Sequence, residues 1–239
     1  MTTPQRYTKG VTTADQGETL GQFVLPDPTK TYGYFNDFFQ YAATDWVLST
    51  VEAGAGSATE AISDTATGGG LLLTNAAGSG DHDFLQLSKD GGTNDSETFL
   101  FSTGKKAWFK TRFQVSDGDK TVVFAGLYIV NTDPQNAAPT DGVYFKSNLG
   151  VVSFIEVKNS VSTTESAIAT VGDATDIDLG YYWDGVDTIS IFVNDVFKAS
   201  VASGTLPDDE NLAVSFGVEN GEAVADTMLI DYIGAWMER

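Results

Sequence analysis

The chain has 239 residues, 41% of them apolar, with 15 Phe, 9 Tyr and 4 Trp. That is enough to bury a sizeable core in one large domain, and too aromatic for a disordered segment. It has no cysteine, which excludes disulfides and thiolate metal sites. Its net charge is −20, from 13 basic and 33 acidic residues. That balance argues against a nucleic-acid partner, because such binding rests on Lys and Arg neutralising phosphates.

In chain order, residues 1–33 read as an extended arm. Pro4, Pro26 and Pro28 interrupt it, and Gly17 and Gly21 defeat the capping-box pattern of Thr13 and Gln16. Met1 to Gly10 has no apolar stretch of the kind a secretory signal needs. No apolar run approaches the roughly 20 residues that span a bilayer, so no membrane partner is expected. Val11, Leu20, Phe23, Val24 and Leu25 are the arm's apolar anchors, too few to fold alone. They are expected to bind a neighbouring chain.

From residue 34 to 239, strand signals dominate. Tyr34 to Phe39 opens the domain with aromatics, and Asp45 to Val51 reads as a strand. Gly68, Gly69 and Gly70 precede the short apolar run Leu71 to Thr74. Asp83 to Leu87 follows, then the turn cluster Asp90 to Asp95. Ala107 to Val115 alternates: Phe109, Phe113 and Val115 on one face, Trp108, Lys110, Arg112 and Gln114 on the other. Thr121 to Val130 is apolar on both faces and reads as a central strand. Val143 to Phe145 and Val151 to Val157 continue the series. Asp176 to Trp183 and Thr188 to Asn194 flank a hairpin turn at Asp184 to Asp187, and Leu212 to Val218 and Thr227 to Trp236 end the chain. Turn clusters at this spacing predict an all-β antiparallel sandwich.

Catalytic patterns are hard to find. Sandwich glucanases carry their carboxylates on one strand as Glu-x-Asp-x-x-Glu, which this sequence lacks. His82 is the single histidine; between Asp81 and Asp83 in a Gly/Ser-rich stretch, it reads as a surface or turn residue. Asp208 to Glu210 reads as a solvated turn. The acidic runs at Asp117 and Asp119 and at Asp173, Asp176 and Asp178 do not match the EF-hand spacing, which leaves calcium in a loop open. No catalytic residue, cofactor or metal ligand is therefore assigned, and a non-enzymatic protein is expected. The one candidate ligand or interface group is Trp108 with Lys110 and Arg112, where an exposed indole beside polar groups could stack on a sugar or anchor a protein. The opposing reading is that another layer covers Trp108.

Many short segments together resemble a family of tailed-phage virion proteins with a lectin-like (concanavalin A-like) jelly-roll sandwich. They are Arg6 to Val11, Leu25 to Lys30, Tyr34 to Phe38, Asp45-Trp46, Gly69 to Asn75, Gly104 to Lys110 and Asp141 to Phe145. The C-terminal half adds Tyr181 to Gly185, Phe192 to Val196, Leu206 to Glu210, Phe216 to Glu222 and Asp231-Tyr232. The resemblance implies a capsid decoration or head-fibre protein on the outer capsid surface, made in the host cytoplasm. Its arm would bind the major capsid protein or another virion protein, and it would form a homo-oligomer. The alternatives are a carbohydrate-binding module for host attachment and, behind it, a degenerate glycosidase. Lectin-like form does not by itself license sugar binding.

Overall fold

The computed structural model describes residues 29–64 and 66–239. Val11, Leu20, Phe23, Val24 and Leu25 lie outside the described residues.

The strands, in chain order, are β1 (Thr31–Asn36), β2 (Trp46–Val51), β3 (Thr59–Ile62), β4 (Leu71–Thr74), β5 (His82–Leu87), β6 (Ala107–Val115), β7 (Thr121–Tyr128) and β8 (Gly142–Asn148). They continue with β9 (Val151–Lys158), β10 (Val161–Thr170), β11 (Ile177–Trp183), β12 (Thr188–Val193), β13 (Val196–Ala202), β14 (Ala213–Asn220) and β15 (Thr227–Glu238). Among the described residues there is no α-helix, only a 3-10 turn at Ala43–Asp45. The 8-stranded sheet runs β13-β12-β11-β6-β15-β4-β3, with β1 also paired to β15. The 7-stranded sheet runs β10-β9-β8-β7-β14-β5-β2. Strand neighbours pair antiparallel throughout, as the alternating strands predict. One edge of β15 serves two partners in succession: β4 along Thr227–Ile230, then β1 along Ile233–Glu238.

The core lies between the sheets. From β6 it takes Phe109, Phe113 and Val115, the alternation read from sequence. Phe109 stacks on Tyr181 at 5.3 Å, and Phe145 and Phe154 close on the same ring from the other sheet. The Tyr181 hydroxyl donates to the Val143 carbonyl at 3.3 Å, one polar tie across the apolar layer. Phe38, Trp46 and Phe216 fill another part of the core, with Trp46 edge-on to Phe216 at 5.0 Å.

Both faces of β7 and β14 are buried along their whole length. The outer face of the 7-stranded sheet carries a second apolar cluster of Phe84, Val122, Phe124, Tyr128, Tyr144 and Val157. Residues 129–141, between β7 and β8, cover part of it. Gln86 ties this segment down: its amide donates to the Ile129 carbonyl at 3.2 Å and its carbonyl accepts from the Asn131 N–H at 2.8 Å.

Candidate functional site

The sequence placed Trp108, Lys110 and Arg112 together on one side of β6, and the structure puts them on the outer face of the 8-stranded sheet. Each is half-buried, so the layer expected as one reading for Trp108 does not close over it. The pairing then adds what no local pattern shows. Tyr182 on β11 and Trp236 on β15 are the direct cross-strand partners of Trp108. Three aromatics thus stand in one row across three strands, with Trp108 and Tyr182 at 5.5 Å between ring centroids.

Trp236 owes its posture to glycine. A Cβ on Gly33 of β1 would collide with its five-membered ring, and a Cβ on Gly234 with its six-membered ring. The indole therefore lies across the sheet over two residues without side chains. Phe35, 54% exposed, stacks beside it at 6.0 Å and 24°. In the next row Lys110 is flanked by Gly180 on β11 and Gly234 on β15, which leaves a trough beside the aromatic row. The hollow measures about 620 Å³, and its walls include Trp108, Tyr182, Phe192 and Trp236.

The third row is polar. Arg112 stands between Asp178 and Tyr232. It pairs with Asp176 at 2.9 Å and with Asp231 at 3.7 Å. Lys110 pairs with Asp195 at 2.6 Å and lies 5.7 Å from the centre of the Tyr232 ring. The Tyr232 hydroxyl donates to Asp178 at 2.5 Å; burial first, and then that carboxylate, raise its pKa. Both cations are thus matched by carboxylates, and the wall offers donors and acceptors without a net positive charge.

Tyr232 and Trp236 reach this face through a β-bulge. Upstream of it, Met228 and Ile230 point inward; downstream, Ile233, Ala235 and Met237 do. The register with β6 shifts between Ile230 and Tyr232, so Asp231 is the extra residue. The parity switch is the sequence signal that could have revealed the site's second half.

His82 corrects an expectation. It is not a surface or turn residue: it opens β5, is 3% exposed, and stacks against Phe84 at 4.7 Å. The turn reading failed because the flanking Gly and Ser residues belong to the preceding loop, while the imidazole falls on the covered face of the 7-stranded sheet. Opposite it on β14 is Glu219, and Asp133 of the covering segment completes a cluster. Burial and then the Asp133 charge push the Glu219 carboxyl up to about 7. Burial lowers the pKa of nearby Lys146, whose ammonium sits 5.0 Å from the centre of the Phe124 ring. Asp117, Asp119 and Asp173 form a more exposed acidic cluster, with Lys120 3.3 Å from Asp117.

No protein-family model and no curated protein sequence matches the chain. Solved structures do match its form. A β-1,3-1,4-glucanase (lichenase) from a mouse hindgut metagenome superposes with a TM-score of 0.58 at 11% identity, over 85% of this chain and 98% of that one. An endo-β-1,4-glucuronan lyase from Trichoderma reesei gives 0.54 at 10% identity, over 84% and 94%. The carbohydrate recognition domain of Emp46p gives 0.53 at 9% identity, over 84% and 94%. The expectation of a non-enzymatic chain is corrected by these neighbours. It rested on a missing Glu-x-Asp-x-x-Glu string, yet hydrolases and a lyase share this fold, so the lack of one string does not set the chain apart from enzymes. Nothing in the comparisons links it to a phage virion. At these identities the likeness carries the architecture: the chain is a concanavalin A-like jelly-roll sandwich of the form shared by glucanases and lectin-like domains.

Proposed function

We propose that the outer face of the 8-stranded sheet binds neutral carbohydrate chains. The observation that carries this reading is the row Tyr182, Trp108 and Trp236 beside a trough whose far side is polar. A pyranose ring presents C–H groups on its faces and hydroxyls at its rim. An indole lying across the sheet suits the first, and Asp178, Tyr232, Lys110 and Arg112 suit the second. The hollow of about 620 Å³ is of ligand-binding size. The shared form with a carbohydrate recognition domain and with glucanases supports the same reading. Charge selects within the class. With a net charge of −20 and both cations of the wall already paired, the protein repels polyuronates and favours uncharged glycans.

The test is affinity electrophoresis against soluble neutral glucans, mannans and xylans, with polyuronates alongside, and tryptophan emission as a second readout. Retardation by at least one neutral glycan is expected. Trp108→Ala and Trp236→Ala should each weaken it about thirtyfold, in line with about 2 kcal/mol for a truncated aromatic anchor. No retardation by any neutral glycan, or full retention of binding in both variants, overturns the proposal.

A further inference from the structure

On the opposite sheet, we propose that His82, Asp133 and Glu219 form a divalent-metal site of the zinc type that fastens residues 129–141 to the fold. The cluster joins elements that local sequence keeps apart. His82 and Glu219 are cross-strand partners on β5 and β14, and Asp133 comes from the segment after β7. One ligand atom from each residue lies within 4.8 Å of the others.

A second observation points to a cation. Glu219 is 6% exposed, and its Oε2 is buried with no hydrogen-bond partner. The nearest ion-pairing atom is Nδ1 of His82 at 3.8 Å, beyond hydrogen-bond reach. Among the described residues, no Lys or Arg nitrogen comes within 4.0 Å of it, since Lys146 is turned to Phe124. A carboxylate oxygen held this way is costly unless something positive meets it.

The donor set narrows the choice of ion. One imidazole nitrogen with two carboxylates suits a first-row divalent ion, whereas calcium and magnesium prefer oxygen alone. Ligand atoms around tetrahedral zinc stand about 3.4 Å apart, so modest side-chain adjustment closes the cluster. The supporting contacts are already made. The Asp133 carboxylate accepts from the Asn136 backbone N–H at 3.1 Å and from its side-chain amide at 3.0 Å. The Asn131 side chain holds the Asp133 N–H at 2.8 Å, and Asn131 is itself tied to Gln86, on the same face of β5 as His82. Such second contacts orient ligands and raise affinity.

The experiment uses the full chain, stripped with a chelator and titrated with Zn²⁺ against a chromophoric competitor, with Ca²⁺ and Mg²⁺ as comparators. One zinc per chain is expected, bound at least tenfold tighter than either comparator, with slower proteolysis within residues 129–141. Asp133→Asn changes a half-buried residue outside the strands and should fold as wild type by circular dichroism. Its zinc affinity should drop at least tenfold and the proteolytic protection should vanish; Glu219→Gln should show the same loss. Trp108→Ala should bind zinc normally, which separates this site from the glycan face. No stoichiometric zinc binding by the wild type, or unchanged binding in both Asp133→Asn and Glu219→Gln, overturns the proposal.

Discussion

Gly234 shows how a missing side chain shapes a site. The six-membered ring of Trp236 occupies the space a Cβ would need, and Phe35 Cδ2 lies 3.1 Å from that same point. Gly234→Ala should therefore lift the indole, at a cost of about 1–3 kcal/mol of overpacking. Urea unfolding and tryptophan emission would register both effects, and glycan affinity should fall with them. In a Trp236→Ala background the same substitution should cost much less, because the indole clash is gone and only the Phe35 contact at 3.1 Å remains. Asp95 is a second informative residue, 5% exposed with Oδ1 unpaired. Burial first, and then the charge of Glu97, push its carboxyl up from 3.8 to about 6, against a smaller opposing pull from Lys89. A carboxyl harder to ionise in the fold than in the unfolded chain favours folding while protonated. Its contribution is full below 3.8 and is lost as pH rises through about 6. Asp95→Asn should flatten that part of the stability–pH curve and stabilise the protein above it. Denaturant titrations across that range check this; an unchanged slope would refute it.

Among the elements, β15 carries the most consequence. It pairs with β6 on one edge and with β4 then β1 on the other, and its bulge at Asp231 sets which residues reach the outer face of the 8-stranded sheet. A one-residue slip moves a whole strand's side chains to the opposite face. Asp231 is the extra residue opposite β6, so deleting it should leave Ile230 and Tyr232 consecutive opposite Phe113 and Arg112, with Met228, Ile230, Ile233, Ala235 and Met237 still inward and Trp236 still outward. The cost should stay within about 0.5–3 kcal/mol, with the cooperative unfolding transition and near-ultraviolet dichroism retained. Loss of either would mean that the bulge itself is required, and not only the facing it restores. The elements that sequence reading overlooked are equally instructive. β3, β10 and β13 lie at the edges of the sheets, and their burial patterns are mostly exposed or half-exposed. A strand with little to bury needs little apolar alternation, so Val161–Thr170 and Val196–Ala202 look like loops when read alone.

For the whole molecule, the sandwich divides its labour between two outer faces. One bears the half-open aromatic row; the other is roofed by its own chain segment. The chain carries a net charge of −20, and its self-repulsion opposes folding. Added sodium chloride at neutral pH should therefore raise the melting temperature, most steeply up to about 0.1 M, where the screening length has fallen to about 10 Å. Binding to a neutral glycan should change little over the same range. Thermal melts and affinity electrophoresis in matched salt series check the pair, and salt-sensitive glycan binding would contradict the neutral-ligand assignment.

The sequence by itself determined the all-β class, the wet and dry faces of β6, the two-sided burial of β7 and the company of Trp108, Lys110 and Arg112. Those features are local: side-chain direction repeats every two residues, and the turn residues mark the ends. Only the tertiary structure decided that Tyr182 and Trp236 stand beside Trp108, that His82 faces Glu219 under Asp133, and that Asp231 changes the facing of β15. Strand neighbours are chosen by how the whole core packs, and no period-two pattern encodes which distant strand will lie alongside.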